Sequence, residues 1–146
     1  MDNKKVTFNL RFAEINVSKY SQFDLEKEFN KDEKPFIEFQ SNFQFKVLEK
    51  EEKLVCIVSV ELIIIETKEV FAELKVENIF NIMPFDDVVK SESDDSYNIP
   101  NPVLHNLFSL SISTFRGILS EKLKGTIAQN EVYPLINAAA ILKNKE

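Results

Sequence analysis

Residues 54 to 66 read "LVCIVSVELIIIE", and this run limits the fold more than any other stretch. It is rich in β-branched residues and apolar on both alternating sides for much of its length. A strand of that kind needs cover on both faces, so it belongs in the middle of a sheet rather than at its rim. The polar turns "EKEEK" (49–53) and "ETKE" (66–69) bound it on either side, which makes its sequence neighbours its hairpin partners.

Those neighbours alternate. Ile37, Phe39, Phe43, Phe45 and Val47 point one way, and Glu38, Gln40, Asn42, Gln44 and Lys46 point the other. Residues 70–80 set Ala72, Leu74 and Val76 against Phe71, Glu73, Lys75 and Glu77. A further strand lies near the start, where Val6, Phe8, Leu10 and Phe12 share a face. Ile15 and Val17 continue it with the opposite parity, so a bulge near Ala13 and Glu14 is expected. A long charged connection, residues 19–34, follows this first strand, and Pro35 returns the chain to extended structure.

Residues 84–100 are acidic and bounded by prolines, which predicts a mobile surface loop. After it, Leu104, Phe108, Ser111, Ile112, Phe115, Leu119 and Leu123 recur at threes and fours, the spacing of an amphipathic helix. Asn101 is placed to cap it, Pro102 to open its first turn and Gly125 to end it. The opposite helix face carries Ser109, Ser113, Arg116 and Ser120, small enough in the main for a second helix to approach. "YPLINAAAILKNKE" reads as a shorter second helix with Pro134 near its start.

Strands followed by helices make an α+β fold. The expectation is one domain over 1–146: a four-stranded antiparallel sheet with a long crossover after strand 1, then one long and one short helix packed on one face. The apolar far side of the central strand is then partly bare, which implies self-association.

Function classes narrow by chemistry. The net charge of −6 opposes broad contact with nucleic acid. No apolar run is long enough to span a membrane, and the N-terminus lacks a signal-peptide core, so a cytoplasmic chain is expected. His105 is the sole histidine and Cys56 the sole cysteine, too few for a triad or the usual zinc sites. His105 sits in the first helical turn, where the helix dipole disfavours its cation. Cys56 reads as a small buried hydrophobe. Asp86, Asp87, Glu92, Asp94 and Asp95 lack the ligand spacing and glycine of a calcium loop. No enzyme activity, cofactor or metal is expected.

What stands out is 13 phenylalanines against 2 glycines. Phe23, Phe29, Phe36, Ile37 and Phe39 bracket the long connection. They fit either a core or a groove that takes extended apolar peptide, and for Phe39 both readings stay open.

The order of elements resembles the SecB family of export chaperones. "VTF" opens the first strand, "KPFIEF" matches a proline followed by alternating apolar residues, and "NIFNI" closes the fourth strand. "KGTIAQNEVYPLINAAAIL" follows the family's pattern into the last helix. The resemblance covers roughly residues 6–144. It implies an ATP-independent holdase for unfolded or preprotein polypeptides, assembled as a homotetramer, a dimer of dimers, with the long helices at the interface. Ser109, Ser113, Arg116 and Ser120 would lie there. Client-groove positions implied by the match are Ile37 and Phe39. Phe23, Phe29, Phe36, Leu135, Ile136, Ile141 and Leu142 follow by position. Phe71 and Glu73 match the family's docking surface for the SecA motor. Asn16 and Tyr20 stand where that surface has carboxylates, and the chain closes at Glu146, short of the family's polar tail. These departures motivate a second reading, a dedicated chaperone of this fold for one partner such as an antitoxin. A third reading is an α+β interaction domain whose phenylalanines are all core.

Overall fold

The computed structural model describes residues 7–29, 33–93, 96–134 and 136. Four antiparallel strands form the main sheet: β1 (Asn9–Gln22), β2 (Ile37–Leu48), β3 (Lys53–Ile64) and β4 (Val70–Met83), in the order β1-β4-β3-β2. The first two strands are thus the two rims, and the connection between them crosses the whole sheet. The run singled out above occupies β3, an inner strand.

Alternation fixes the layers. On β3, Leu54, Cys56, Val58, Val60, Leu62 and Ile64 are buried on the helix side. On β4, Ala72, Leu74, Val76, Asn78, Phe80 and Ile82 join them. The far side of β3 is less bare than its sequence suggests. Val55 and Ile57 are buried there too, flanked in register by Lys46 and Ile79 and by Gln44 and Glu77.

The expected bulge in β1 is present. Pairing with β4 slips between Phe12 and Glu14, and again between Val17 and Lys19. The slips bring Leu10, Phe12, Ile15, Val17 and Tyr20 opposite Ile82, Phe80, Asn78, Val76 and Leu74, all on the helix side.

Residues 84–100 are not a plain loop. A short helix α1 (Phe85–Val88) leads into a hairpin, β5 (Lys90–Ser93) with β6 (Ser96–Asn98). Phe85, Val88, Val89 and Ile99 are buried and extend the core, which anchors the described parts of this acidic segment.

Helix α2 (Asn101–Lys122) lies over β3 and β4. Its N-cap is Pro100 rather than Asn101, without a side-chain cap bond. Gly125 adopts φ +79 two residues beyond the C-cap Leu123. Val103, Leu107, Phe108, Ile112, Phe115 and Leu119 face the sheet fully buried. Each contributes about 1.5–3 kcal/mol of transfer free energy. Phe108 meets the rings of Phe43 and Phe45 on β2 at centroid distances of 6.2 and 6.5 Å.

Tyr133 closes the core beyond α2. Its ring packs against Phe39 and Phe115 at 5.5 and 5.0 Å, its hydroxyl bonds to Ser41, and its carbonyl accepts from Arg116 Nε at 2.8 Å. Tyr133, Pro134 and Ile136 are not helical. The rest of the expected second helix lies outside the described residues.

Candidate functional site

The apolar surplus collects where the crossover meets the start of β2. Backbone pairing continues past β1, with Phe23 N–H donating to Phe71 C=O at 2.8 Å. The crossover is then held to the turn between β3 and β4. Glu26 N–H donates to the Glu69 carboxylate, and the Lys27 ammonium donates to Glu66, each at 3.0 Å. Lys27 also stands 5.1 Å from the Phe29 ring centre. The hydrogen bond and charge of Glu66 hold the Lys27 ammonium above its ordinary range.

Beside this tether opens a cavity of about 500 Å³ lined by Lys27, Phe29, Lys34, Pro35, Phe36 and Ile65 among others. Phe36 is 81% exposed and Ile65 53% exposed. The two face each other across the strand pair, with Ile65 N–H donating to Phe36 C=O at 3.0 Å. A second cavity of about 450 Å³ lies at the other end of β2, between Phe45, Val47, Tyr97, Ile99 and Leu104. Tyr97 is steadied there by its hydroxyl, which donates to Glu49 at 3.1 Å. Both volumes fall within the range of ligand clefts.

The expected groove residues divide. Phe29 and Phe36 line the first cavity. Ile37, Phe39 and Ile136 are half-buried against the core, on the helix side. Phe39 is half-buried, with its ring packed edge-on with that of Tyr133. Phe23 is exposed at the end of β1 and lines neither cavity. Leu135, Ile141 and Leu142 lie outside the described residues.

The pair matched to motor docking is not presented as an open surface. Phe71 is only 8% exposed, and the Glu73 carboxylate is salt-bridged to Lys19. On α2, Ser113 and Ser120 are exposed, Ser109 is half-buried, and Arg116 is engaged by Tyr133.

Two features escaped sequence reasoning. Ile65 closes the apolar run that reads as a central strand, but β3 ends at Ile64 and the turn begins with Ile65, which leaves its side chain outside the core. The second is a strip on β1, where Phe12, Ile15 and Val17 are 37, 42 and 44% exposed on the same side as the buried core. Four strands span about 14 Å between their outer axes, and one helix is about 10 Å wide. Helix α2 covers the middle and the β2 side, so β1 is left partly bare. Leu110 on α2 is also exposed.

Among the described residues no group of His, Cys, Asp or Glu side chains is arranged to hold a metal ion. No helix there is long and apolar enough to cross a membrane.

No protein-family model matches this chain, and no curated protein matches it significantly. Among solved structures it is similar to a protein of unknown function from Streptococcus agalactiae, at 14% identity and a TM-score of 0.43. That match covers 90% of this chain and 98% of the other.

Proposed function

We propose that this protein is an ATP-independent holdase of the SecB type, which keeps unfolded or exported polypeptides from aggregating. The observation that carries the reading is the exposure of Phe36 beside a lined cavity. A phenylalanine left 81% in water, next to Ile65 at 53%, marks a surface kept for an apolar partner. Binding of this kind reads apolar bulk rather than sequence, which suits a chain with many clients. In this reading the working unit is a homotetramer, and a second copy covers the strip of Phe12, Ile15 and Val17.

Light scattering on a sizing column tests both parts. A mass of about four chains that rises on adding a reduced, unfolded client is the expected result. A monomer indifferent to client overturns it.

A second reading, a dedicated chaperone for one partner such as an antitoxin, is favoured by the state of Phe71 and Glu73. The first is buried and the second is engaged by Lys19, so motor docking has little to grip. Tetramers that ignore generic clients but bind one short apolar segment would select it.

A further inference from the structure

The two rims of the sheet differ in kind. Among the described residues no strand pairs with the free side of β1 or of β2. Strand β1 is interrupted by two bulges and carries Arg11, Glu14 and Lys19, the usual means by which a rim is made a poor template for a further strand. Strand β2 runs for 12 residues without a slip against β3, holds no proline, and has Glu38 and Lys46 as its charged residues. An unbroken rim of that length presents a row of main-chain donors and acceptors ready to pair with another strand.

The ladder fixes which groups face outward. The Phe36 carbonyl accepts from the N–H of Ile65. Bonded and non-bonded residues alternate along an antiparallel pair, so the even-numbered residues of β2 spend their main-chain groups on β3. The odd-numbered residues turn theirs to the free rim. Their side chains lie on the helix side, where Ile37, Phe39, Phe43, Phe45 and Val47 are each only half-buried.

We infer that two copies of this chain join rim to rim through β2, antiparallel about a two-fold axis at Asn42, and make one continuous sheet. The charge pattern selects a second copy as the occupant. Glu38 and Lys46 stand four residues to either side of Asn42, on the same outer face. Turned about Asn42, Glu38 of each copy comes opposite the partner's Lys46, so the pair forms twice. Outward-facing residues bond only with outward-facing residues, so the permitted registers differ by steps of two. The step to either side sets Glu38 against the partner's Gln44 or the partner's Leu48 and leaves both charges unmatched.

The register that matches the charges also matches the rest of the strand. On the helix side it sets Phe39 against the partner's Phe45 and Ile37 against the partner's Val47. Opposite charges and aromatic pairs are the favourable cross-strand combinations. At each end Phe36, which is 81% exposed in the single chain, comes opposite the partner's Leu48. Such a contact uses the same patch on both copies and closes at two chains, so the unprotected rim does not run on into a fibre. Self-pairing goes beyond the holdase reading and does not depend on client binding.

Sedimentation of charge variants tests the pairing. Glu38→Lys brings like charges together twice in each dimer, and so does Lys46→Glu. Each is expected to raise the dissociation constant of the rim contact about tenfold at low salt. The double reversal, E38K with K46E, restores both pairs and is expected to return within about threefold of the original. Cross-linking tests the register. At the axis Asn42 faces the partner's Asn42 in a non-bonded pair, whose Cα atoms stand about 4.5 Å apart, within reach of a disulfide. Asn42→Cys is therefore expected to give a covalent dimer on mild oxidation. Gln40→Cys is not, because the two copies of that position are about 13 Å apart. The native Cys56 is buried and does not compete.

A chain that stays monomeric at every concentration overturns the inference. So do charge variants that associate as the original does, single reversals that the double reversal fails to rescue, or cross-linking as ready at position 40 as at position 42. Client binding is read separately, so failure of either proposal leaves the other standing.

Discussion

Glu52 and Lys68 take the left-handed backbone conformation in the turns on either side of β3, with φ of 55 and 62. A chain with two glycines has neither of them at these positions, and an L residue there is strained by about 1–2 kcal/mol. Glu52→Gly and Lys68→Gly are each expected to stabilise the fold by about 0.5–1 kcal/mol, the strain relieved less the extra freedom of unfolded glycine. Denaturant melts that show a loss in either variant would refute this. Tyr133 is the residue that couples the C-terminal stretch to β2. Burial pushes its phenol above the ordinary range, and the Ser41 hydrogen bond opposes that only in part. A folded-state value above the unfolded one, near 10, means stability is fully present below pH 10 and is lost as pH rises through the folded value. Tyr133→Phe is expected to cost about 1 kcal/mol at neutral pH and to flatten the fall in stability above pH 10, as read from chemical melts across that range.

At the scale of elements, the two classes of phenylalanine separate. Phe108 lies under β2 and β3 within the core, and Phe108→Ala is expected to cost about 3–5 kcal/mol. Phe36→Ala removes a ring that is already 81% in water and is expected to cost less than about 0.5 kcal/mol while weakening client binding. Comparable drops in melting temperature for the two would refute the division. Much of this was legible in the sequence. The parity of Phe39, Phe43 and Phe45, the parity change at Ala13 and the helical recurrence from Leu104 to Leu123 follow from local geometry, and the strands and helix appear where those patterns lie. The hairpin after α1 was not legible, because strands of four and three residues are too short to establish a period. The site was legible only in part. Whether a strand residue is covered depends on where a single helix comes to rest across the sheet, and no local pattern records that. Phe12 and Phe80 illustrate the point. They are paired across β1 and β4 with ring centres 4.6 Å apart, yet Phe80 is fully buried and Phe12 is 37% exposed.

For the whole molecule, the incomplete cover of the sheet becomes an argument about assembly. Among the described residues α2 is the one long helix over the sheet, and a second molecule would cover β1. The strip of Phe12, Ile15 and Val17 runs alongside Val76, Asn78 and Phe80, which are fully buried, so a partner seated on it would extend the existing core rather than form a separate contact. The small side chains Ser113 and Ser120 on the exposed face of α2 allow close approach over the same side of the sheet. A charge introduced into the strip should therefore act on assembly and spare the fold. Ile15→Lys replaces a side chain that is 42% exposed, so the single chain is expected to lose less than about 1 kcal/mol, since the long lysine stem can lie along the strand with its ammonium in water. The desolvated ammonium at an interface, by contrast, costs several kcal/mol per copy, enough to dissociate it. The measurement is mass by light scattering together with far-ultraviolet circular dichroism. If the protein assembles as proposed, a fall in mass with the spectrum unchanged assigns the strip to the interface. An unchanged mass would leave the serine face of α2 as the contact and return the β1 strip to the solvent-exposed surface.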